Sequence, residues 1–328
     1  MSINFKALVQ NLSPEQRKDL LKELQTTITP SQTAPTSCPN CGSVNHVKNG
    51  ILKNKQRYLC RDCKKTFGQS TKTTLHSTKL SNEQWQTYIK CMLNGKSIRK
   101  SAETIGVCVK TSFYVRHKIL NALNATMPKD TVSGVVEMDE TFVAESFKGN
   151  HAKSGFEMPR PSRKRGKQIK KRGISREQIC IGTAIDKNNN VIMKMTNKGR
   201  ISSRILSRLF TGYVGEGAIV CSDSCNSYKT ICKNMGFEHR RIPPGKHANG
   251  EYNLSAVNSL HSRFKTWMRK FNGVSTKYLS NYLVWFKWLE SNKMLQDVER
   301  PAKMWNDVMA ELVDVRICTI RQREVAWV

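Results

Sequence analysis

The chain has 328 residues, with 55 Lys+Arg against 25 Asp+Glu and a formal net charge of +30. Charged residues make up 24% and hydrophobic residues 38%, which excludes a wholly disordered chain; the length suffices for two or three domains with packed cores. So large a cationic surplus points to a polyanionic partner, nucleic acid foremost, ahead of a membrane surface. The first residues carry charge and no unbroken apolar stretch, and no run nears the ~18–20 apolar residues that cross a bilayer, so neither a secretion signal nor a membrane span is expected. The eleven cysteines are an odd number, four of them in two tight pairs. That pattern favours a reducing, cytoplasmic setting with metal at the pairs over a disulfide framework.

Residues 1–30 are expected to hold a short helix: Ser13 can cap it, Pro14 suits its first turn, and Gln16 can reach back to close a capping box. Leu20, Leu21 and Leu24 give it an apolar face. A polar, proline-containing stretch from Thr26 to Ser37 reads as a linker. Within 31–70, Cys38 and Cys41 are followed eighteen residues on by Cys60 and Cys63, the spacing of a zinc ribbon. Each CxxC forms a knuckle that aims two thiolates at one point, and a unit this small needs Zn²⁺ to fold. Asn49-Gly50 suits the turn of a hairpin between the knuckles. With four thiolates present, His46 is expected at the surface rather than on the metal. Lys48, Lys53, Lys55, Arg57, Arg61, Lys64 and Lys65 make the ribbon basic enough to touch DNA.

Residues 78–126 read as three helices. Ser81 caps one bearing Trp85, Ile89 and Leu93, ended by Asn94-Gly95; Ser97 opens a second; Gly106 turns into a third over about 110–123. Helix, glycine turn, helix is the helix-turn-helix pattern, although an ordinary helical bundle fits the same spacing. In the first reading Lys110, Thr111, Ser112, Tyr114 and Arg116 face DNA.

After Met127-Pro128 the texture changes to strands. Val135 to Asp139, 179–186, 191–196, Ala218 to Asp223 and a segment near 238–242 alternate with helices near 202–210 and 228–235, and a long helix begins near Ser255. The Lys187-Asn190 stretch is a hairpin turn. The order predicts an α/β fold: a mixed sheet with helices on its faces. Inserted at 150–177 is a loop with nine basic residues between Arg160 and Arg176 and no acid until Glu177, among them Arg163, Lys164, Arg165, Lys170, Lys171 and Arg172. Such a block is a solvated face or a grip on phosphates.

Asp139 and Asp223 each end an apolar strand. Paired carboxylates suit Mg²⁺ or Mn²⁺, and two such ions ~4 Å apart can serve phosphodiester chemistry. Singly, each aspartate also fits a cap or a turn. On the last helix, Val257, Leu260, Phe264, Trp267, Met268 and Phe271 form an apolar stripe. Asn258, His261, Ser262, Lys265 and Arg269 form the polar stripe beside it. Asn258 and Lys265 share a face, with Asn258 able to offer a neutral oxygen ligand and Lys265 a phosphate contact.

These residues resemble a known family. Val136-Glu137-Met138-Asp139-Glu140-Thr141, Ser222-Asp223 with Tyr228, Val257-Asn258-Ser259-Leu260-His261-Ser262-Arg263-Phe264-Lys265 and Phe271 to Leu279 are similar to motifs of bacterial insertion-sequence transposases, the ISXO-like group of the DDE superfamily (insertion sequence 1595 family). The resemblance covers about residues 38–290. It implies an RNase H-like catalytic domain over 132–290 behind a zinc ribbon and a helix-turn-helix. It implies Asp139 and Asp223 as catalytic acids on Mg²⁺ or Mn²⁺. Asn258 would stand where most relatives carry Glu, and Lys265 would complete an Asp-Asp-Asn-Lys variant. Glu251 and Glu140 are not expected to be ligands, Glu140 because strand alternation points it away. The implied partners are double-stranded DNA, as terminal repeats and as target, and further copies of the chain in a dimer or larger assembly. The implied site of action is the bacterial nucleoid.

Rival readings are a catalytically inactive zinc-ribbon DNA-binding protein derived from a transposase, a nuclease or resolvase that cuts without joining, and a cysteine enzyme built on Cys221 and Cys225. Cys91, Cys108, Cys180, Cys232 and Cys318 read as small buried hydrophobes, and His247 and His261 as structural. Residues 291–328 are expected to form a helical extension in which Pro301 starts a helix with Met304, Trp305, Met309 and Leu312 as its apolar face.

Overall fold

A computed structural model describes residues 13, 15–16, 35–52, 55–128, 131–150, 156–161, 173–246 and 248–328. The expected N-terminal helix therefore lies almost wholly outside the described residues. Its start does not: the Ser13 N–H donates to Gln16 Oε1 at 2.9 Å and the Gln16 N–H to Ser13 Oγ at 3.2 Å, the reciprocal bonds of a capping box.

Strands β1 (His46–Leu52), β2 (Lys55–Cys60) and β3 (Thr66–Gly68) form an antiparallel sheet in that order. The hairpin turn is not at Asn49-Gly50. Gly50 has φ +71 and the register slips between Lys48 and Ile51, so the pair is a bulge inside β1, and the turn follows the Leu52–Lys55 pair. Among the described residues, the buried apolar ones here are Cys38, Tyr58, Cys60 and Phe67. His46 is half-buried, edge-on to the Tyr58 and Phe67 rings at 5.5 and 5.4 Å.

Three helices follow: α1 (Asn82–Leu93), α2 (Ile98–Ile105) and α3 (Val109–Thr126). Ser81 and Gln84 close a capping box on α1, Ser97 caps α2, and Gly106 at φ +68 makes the turn into α3.

The central sheet has strands β4 (Val135–Ala144), β5 (Gln178–Asp186), β6 (Val191–Lys198), β7 (Ile219–Ser222) and β8 (Glu238–Arg241), in the order β6-β5-β4-β7-β8. The first three pair antiparallel, while β4–β7 and β7–β8 are parallel. This is the expected RNase H-like topology. Helices α4 (Ser203–Phe210) and α5 (Asn226–Met235) cover one face, burying Leu206, Leu209, Phe210, Tyr228 and Ile231 with Val136, Met138 and Val220. Gly182 in β5 lets α4 approach: an added methyl there would run into Leu209 and Thr196. Helices α6 (Ser255–Arg269) and α7 (Leu279–Ser291) cover the other face, where Val257, Leu260, Phe264, Leu283 and Phe286 pack on Ile179, Ile181 and Met193.

The last two helices, α8 (Arg300–Met309) and α9 (Ile317–Gln322), are no appendage. Met304, Trp305 and Val308 of α8 share one core with Trp85 and Ile89 of α1, Ile119 and Leu123 of α3, and Trp285 and Trp288 of α7. The helical trio thus closes on α7 and α8 rather than standing alone. Leu312, expected on the α8 apolar face, is 60% exposed because the helix ends at Met309. Beyond α9, Arg323 donates to Asn281 Oδ1 and Asn121 Oδ1, and the Val328 N–H reaches Met195 O on β6 at 3.2 Å. Among the described residues, no helix is long and apolar enough to cross a membrane.

Candidate active site

Register places the two aspartates. Glu137 pairs with Cys221 across the parallel β4–β7 ladder, two residues short of Asp139 in β4 and of Asp223 just past β7, and the charge of Asp223 is felt at Asp139. Parallel partners in register point to the same face. That face is covered by α6: His261 Nδ1 lies 3.6 Å from Asp139 Oδ2, with the two side chains 7% and 23% exposed. At that distance the imidazole is a neighbour of the carboxylate, not a hydrogen-bond donor. Asp223 is exposed, and its Oδ1 accepts from the Cys225 N–H at 3.0 Å, fixing the turn into α5.

The electrostatics follow from burial. Desolvation pushes the Asp139 carboxyl up to about 6; the Glu140 N–H and Lys265 oppose this, and Asp223 adds to it. Burial and the cation of Lys265 hold His261 down at about 4, so its ring is neutral at pH 7. Glu140 points to the opposite face, as strand alternation requires, beside the fully buried Tyr228; burial pushes it up to about 7, helped by Asp139 and Asp223. Lys265 therefore lies within electrostatic reach of Asp139. Asn258 does not meet the aspartates in the same way: it is exposed, one turn of α6 before His261. The sequence pattern underrated His261, which belongs to the buried face with Val257, Leu260 and Phe264. Its signal was its place beside Leu260 and three before Phe264. Glu137 was missed as well. Its Oε2 accepts from the Val257 N–H at 3.0 Å, and the period-two alternation of β4 already put it on the face of Asp139.

The donor chemistry fits a hard divalent cation at the aspartates: two carboxylates, one raised partly by the other's charge, gain from a cation between them. They do not draw a third ligand into a closed cluster. Among the described residues, the grouping that does so is Cys38, Cys41, Cys60 and Cys63, whose sulfurs all lie within 4.8 Å of one another. Cys38–Cys63 and Cys41–Cys60 sulfurs are 3.7 and 3.6 Å apart. Four sulfurs ~2.3 Å from a tetrahedral zinc stand ~3.8 Å apart, so the cluster fits a structural Zn²⁺. The Cys63 N–H holds the Cys60 thiol below its ordinary value, towards the ligating thiolate.

The expected DNA contacts divide. Lys110 is exposed in the first turn of α3, and Thr111 beside it is half-buried and bonded to the Cys108 cap. Arg116 does not face outward. It is 1% exposed, donates to Lys96 O at 2.9 Å and lies 5.4 Å from the Trp285 ring, because α3 turns that side to α7. Ser112 and Tyr114 are buried too. Arg163, Lys164, Arg165, Lys170, Lys171 and Arg172 lie outside the described residues. The segment before their loop is anchored beyond the C-terminal end of α6: Lys148 Nζ donates to Phe271 O and Asn272 O, and Ser146 and Thr276 exchange two hydrogen bonds.

Residues 131–290 match the family model of the ISXO2-like transposase domain. They form an ISXO2-like transposase domain. A relative is the uncharacterized protein in transposable element ISH50 of Halobacterium salinarum (strain ATCC 700922 / JCM 11081 / NRC-1), 28% identical over 253 residues, which are 75% of this chain and 82% of that protein. Matches among solved structures include a simian T-cell lymphotropic virus intasome in complex with PP2A regulatory subunit B56 gamma (12% identity, 73% of this chain and 75% of that one, TM-score 0.26). Another is the mariner Mos1 paired end complex with Mg (11% identity, 74% and 82%, TM-score 0.27). TM-scores this low carry no argument, and the transposase domain is assigned on its sequence family and its own sheet topology.

Proposed function

We propose that the protein is a DNA transposase that cleaves the ends of its element and joins them to target DNA. The observation that carries this reading is the parallel β4–β7 ladder, in register at Glu137–Cys221 two residues short of Asp139 and Asp223, within a domain that matches the ISXO2-like family. Bound Mg²⁺ or Mn²⁺ supplies activation of an attacking oxygen and charge stabilisation at the leaving oxygen. Asp139 and Asp223 would hold such an ion between them. Asn258 offers a carbonyl oxygen from the rim of α6, and Lys265, beside Asp139, takes a phosphate of the bound strand. His261 stays neutral and shields the inner oxygen of Asp139 from water. The basic loop and Lys110 grip backbone phosphates, and base contacts from α3 and the ribbon select the terminal repeats. Both ends have to be held at once, so a dimer or larger assembly acts on the nucleoid.

A second reading has one observation behind it. α6 presents an imidazole, not a carboxylate, to Asp139, as befits a DNA-binding protein that has lost catalysis. One experiment separates the two. Purified protein is incubated with labelled DNA from the flanks of its own gene and with Mg²⁺ or Mn²⁺, beside Asp223→Ala. Nicking at a repeat end followed by joining, absent in the variant, establishes the transposase. Binding without cutting, equal in both proteins, establishes the inactive one.

A further inference from the structure

We propose that Glu137 is a positioning residue: its carboxylate sets the register of α6 along β4 and thereby places the α6 side chains against Asp139. This inference rests on the reading of Asp139 as a reacting-site residue.

The first turn of a helix leaves N–H groups without partners, and a side chain at the N-cap ordinarily serves them. The N-cap of α6 is Leu254, which has no side-chain capping bond. The Ser255 N–H is met by Asn253 Oδ1 at 2.9 Å, but the Val257 N–H is met by Glu137 Oε2 at 3.0 Å, from a strand 120 residues earlier. A carboxylate there also faces the positive end of the helix.

A cap alone could have been supplied locally. What the strand-borne cap adds is registration. Glu137 and Asp139 are two residues apart on one face of β4, a rise of ~6.6 Å. Their partners on α6, Val257 and His261, are four residues apart, a rise of ~6 Å. The two contacts, Glu137 to Val257 and Asp139 to His261, are therefore successive rungs between elements running in step. A slip of α6 by one turn, ~5.4 Å, would break both rungs and carry His261, Asn258 and Lys265 past the carboxylate. A cavity of about 160 Å³ borders Glu137 and is lined also by Asp186, Cys221 and Tyr252, so a shorter side chain there meets no clash and simply fails to reach.

The test separates reach from charge in the full-length protein. Glu137→Gln keeps the reach and loses the charge; Glu137→Asp keeps the charge and loses one methylene of reach. Two quantities are read: hydrogen–deuterium exchange of residues 255–269 without metal, and kcat and KM for metal-dependent cleavage of end DNA. Glu137→Gln is expected to keep α6 protected and kcat within a few-fold of wild type. Glu137→Asp is expected to raise exchange in the first turns of α6 by ~10-fold or more and to lower kcat by up to ~10²-fold, the cost of an ångström-scale misplacement, with KM and Tm little changed. Loss in Glu137→Gln equal to or greater than that in Glu137→Asp overturns the proposal, as does unchanged α6 exchange in Glu137→Asp. A wild-type protein that cuts no DNA sinks the transposase reading alone, since the exchange arm still decides whether Glu137 sets the register.

Discussion

Replacing Asp139 by Asn should make the metal-free protein more stable at pH 7, although it removes a residue central to the proposed chemistry. Burial raises this carboxyl from 3.8 to about 6, and the side chain is 23% exposed. Between the unfolded and folded values the folded protein holds a proton that the unfolded chain has released. Stability therefore falls as pH rises through that window, and the penalty is complete above about 6. A rise of that size corresponds to ~3 kcal/mol, and partial exposure trims it to ~2 kcal/mol. Asn keeps the shape and still accepts from the Glu140 N–H, so the variant should melt ~3 °C higher at pH 7 in buffer free of Mg²⁺ and Mn²⁺ but with the ribbon's Zn²⁺ retained. The gain should shrink through pH 6 and nearly vanish by pH 4. Saturating Mg²⁺ should reverse the order, because an ion at 100 times its Kd stabilises the wild type by ~2.7 kcal/mol. Thermal unfolding at several pH values, with and without metal, reads all of this. A variant less stable than wild type at pH 7 without Mg²⁺ or Mn²⁺, or a difference independent of pH, would refute the burial argument.

Four further outcomes are expected. A zinc chelator, or Cys60→Ser, should unfold residues 35–70 while leaving the central sheet intact, seen as loss of amide protection confined to the ribbon; its four buried apolar residues cannot hold it alone. Gly182→Ala should cost ~1–3 kcal/mol by overpacking against Leu209, read by urea unfolding. Lys110→Ala should weaken DNA binding and lower the salt slope by about 1. Arg116→Ala should instead lower the melting temperature and leave that slope unchanged.

Much of this fold was written in local pattern. Short apolar runs and the Lys187–Asn190 turn marked β4, β5 and β6, the Ser81 and Ser97 caps and the turn at Gly106 marked the three helices, and CxxC spacing marked the ribbon. The errors share a cause. Arg116 looked like a DNA contact because its type is usually exposed, yet α7 buries it, and nothing within α3 announces a partner as distant in sequence as Trp285. Asn49-Gly50 has the composition of a turn, but the strand pairing made it a bulge. At the site, Asp223 was legible just past the end of β7, whereas Asp139, expected at a strand end, lies in the middle of β4, because the strand runs on to Ala144 along β5. His261 and Glu137 were not legible, since their roles depend on how α6 lies along β4, and one-dimensional periodicity does not record that register.

The shared core of α1, α3, α7 and α8 bears on synthesis. The helices that would read DNA are made early, yet Trp85 and Ile119 find their partners Trp285 and Trp305 only after the whole catalytic sheet has been translated. Thr74 Oγ1 donates to Val308 O across 234 residues. Contacts of such long range form late. A chain cut short within the catalytic domain is therefore not a free-standing DNA-binding fragment that could compete with the intact protein for its sites. Its helical trio is left with half a core and an exposed tryptophan face, which favours aggregation or degradation over repression.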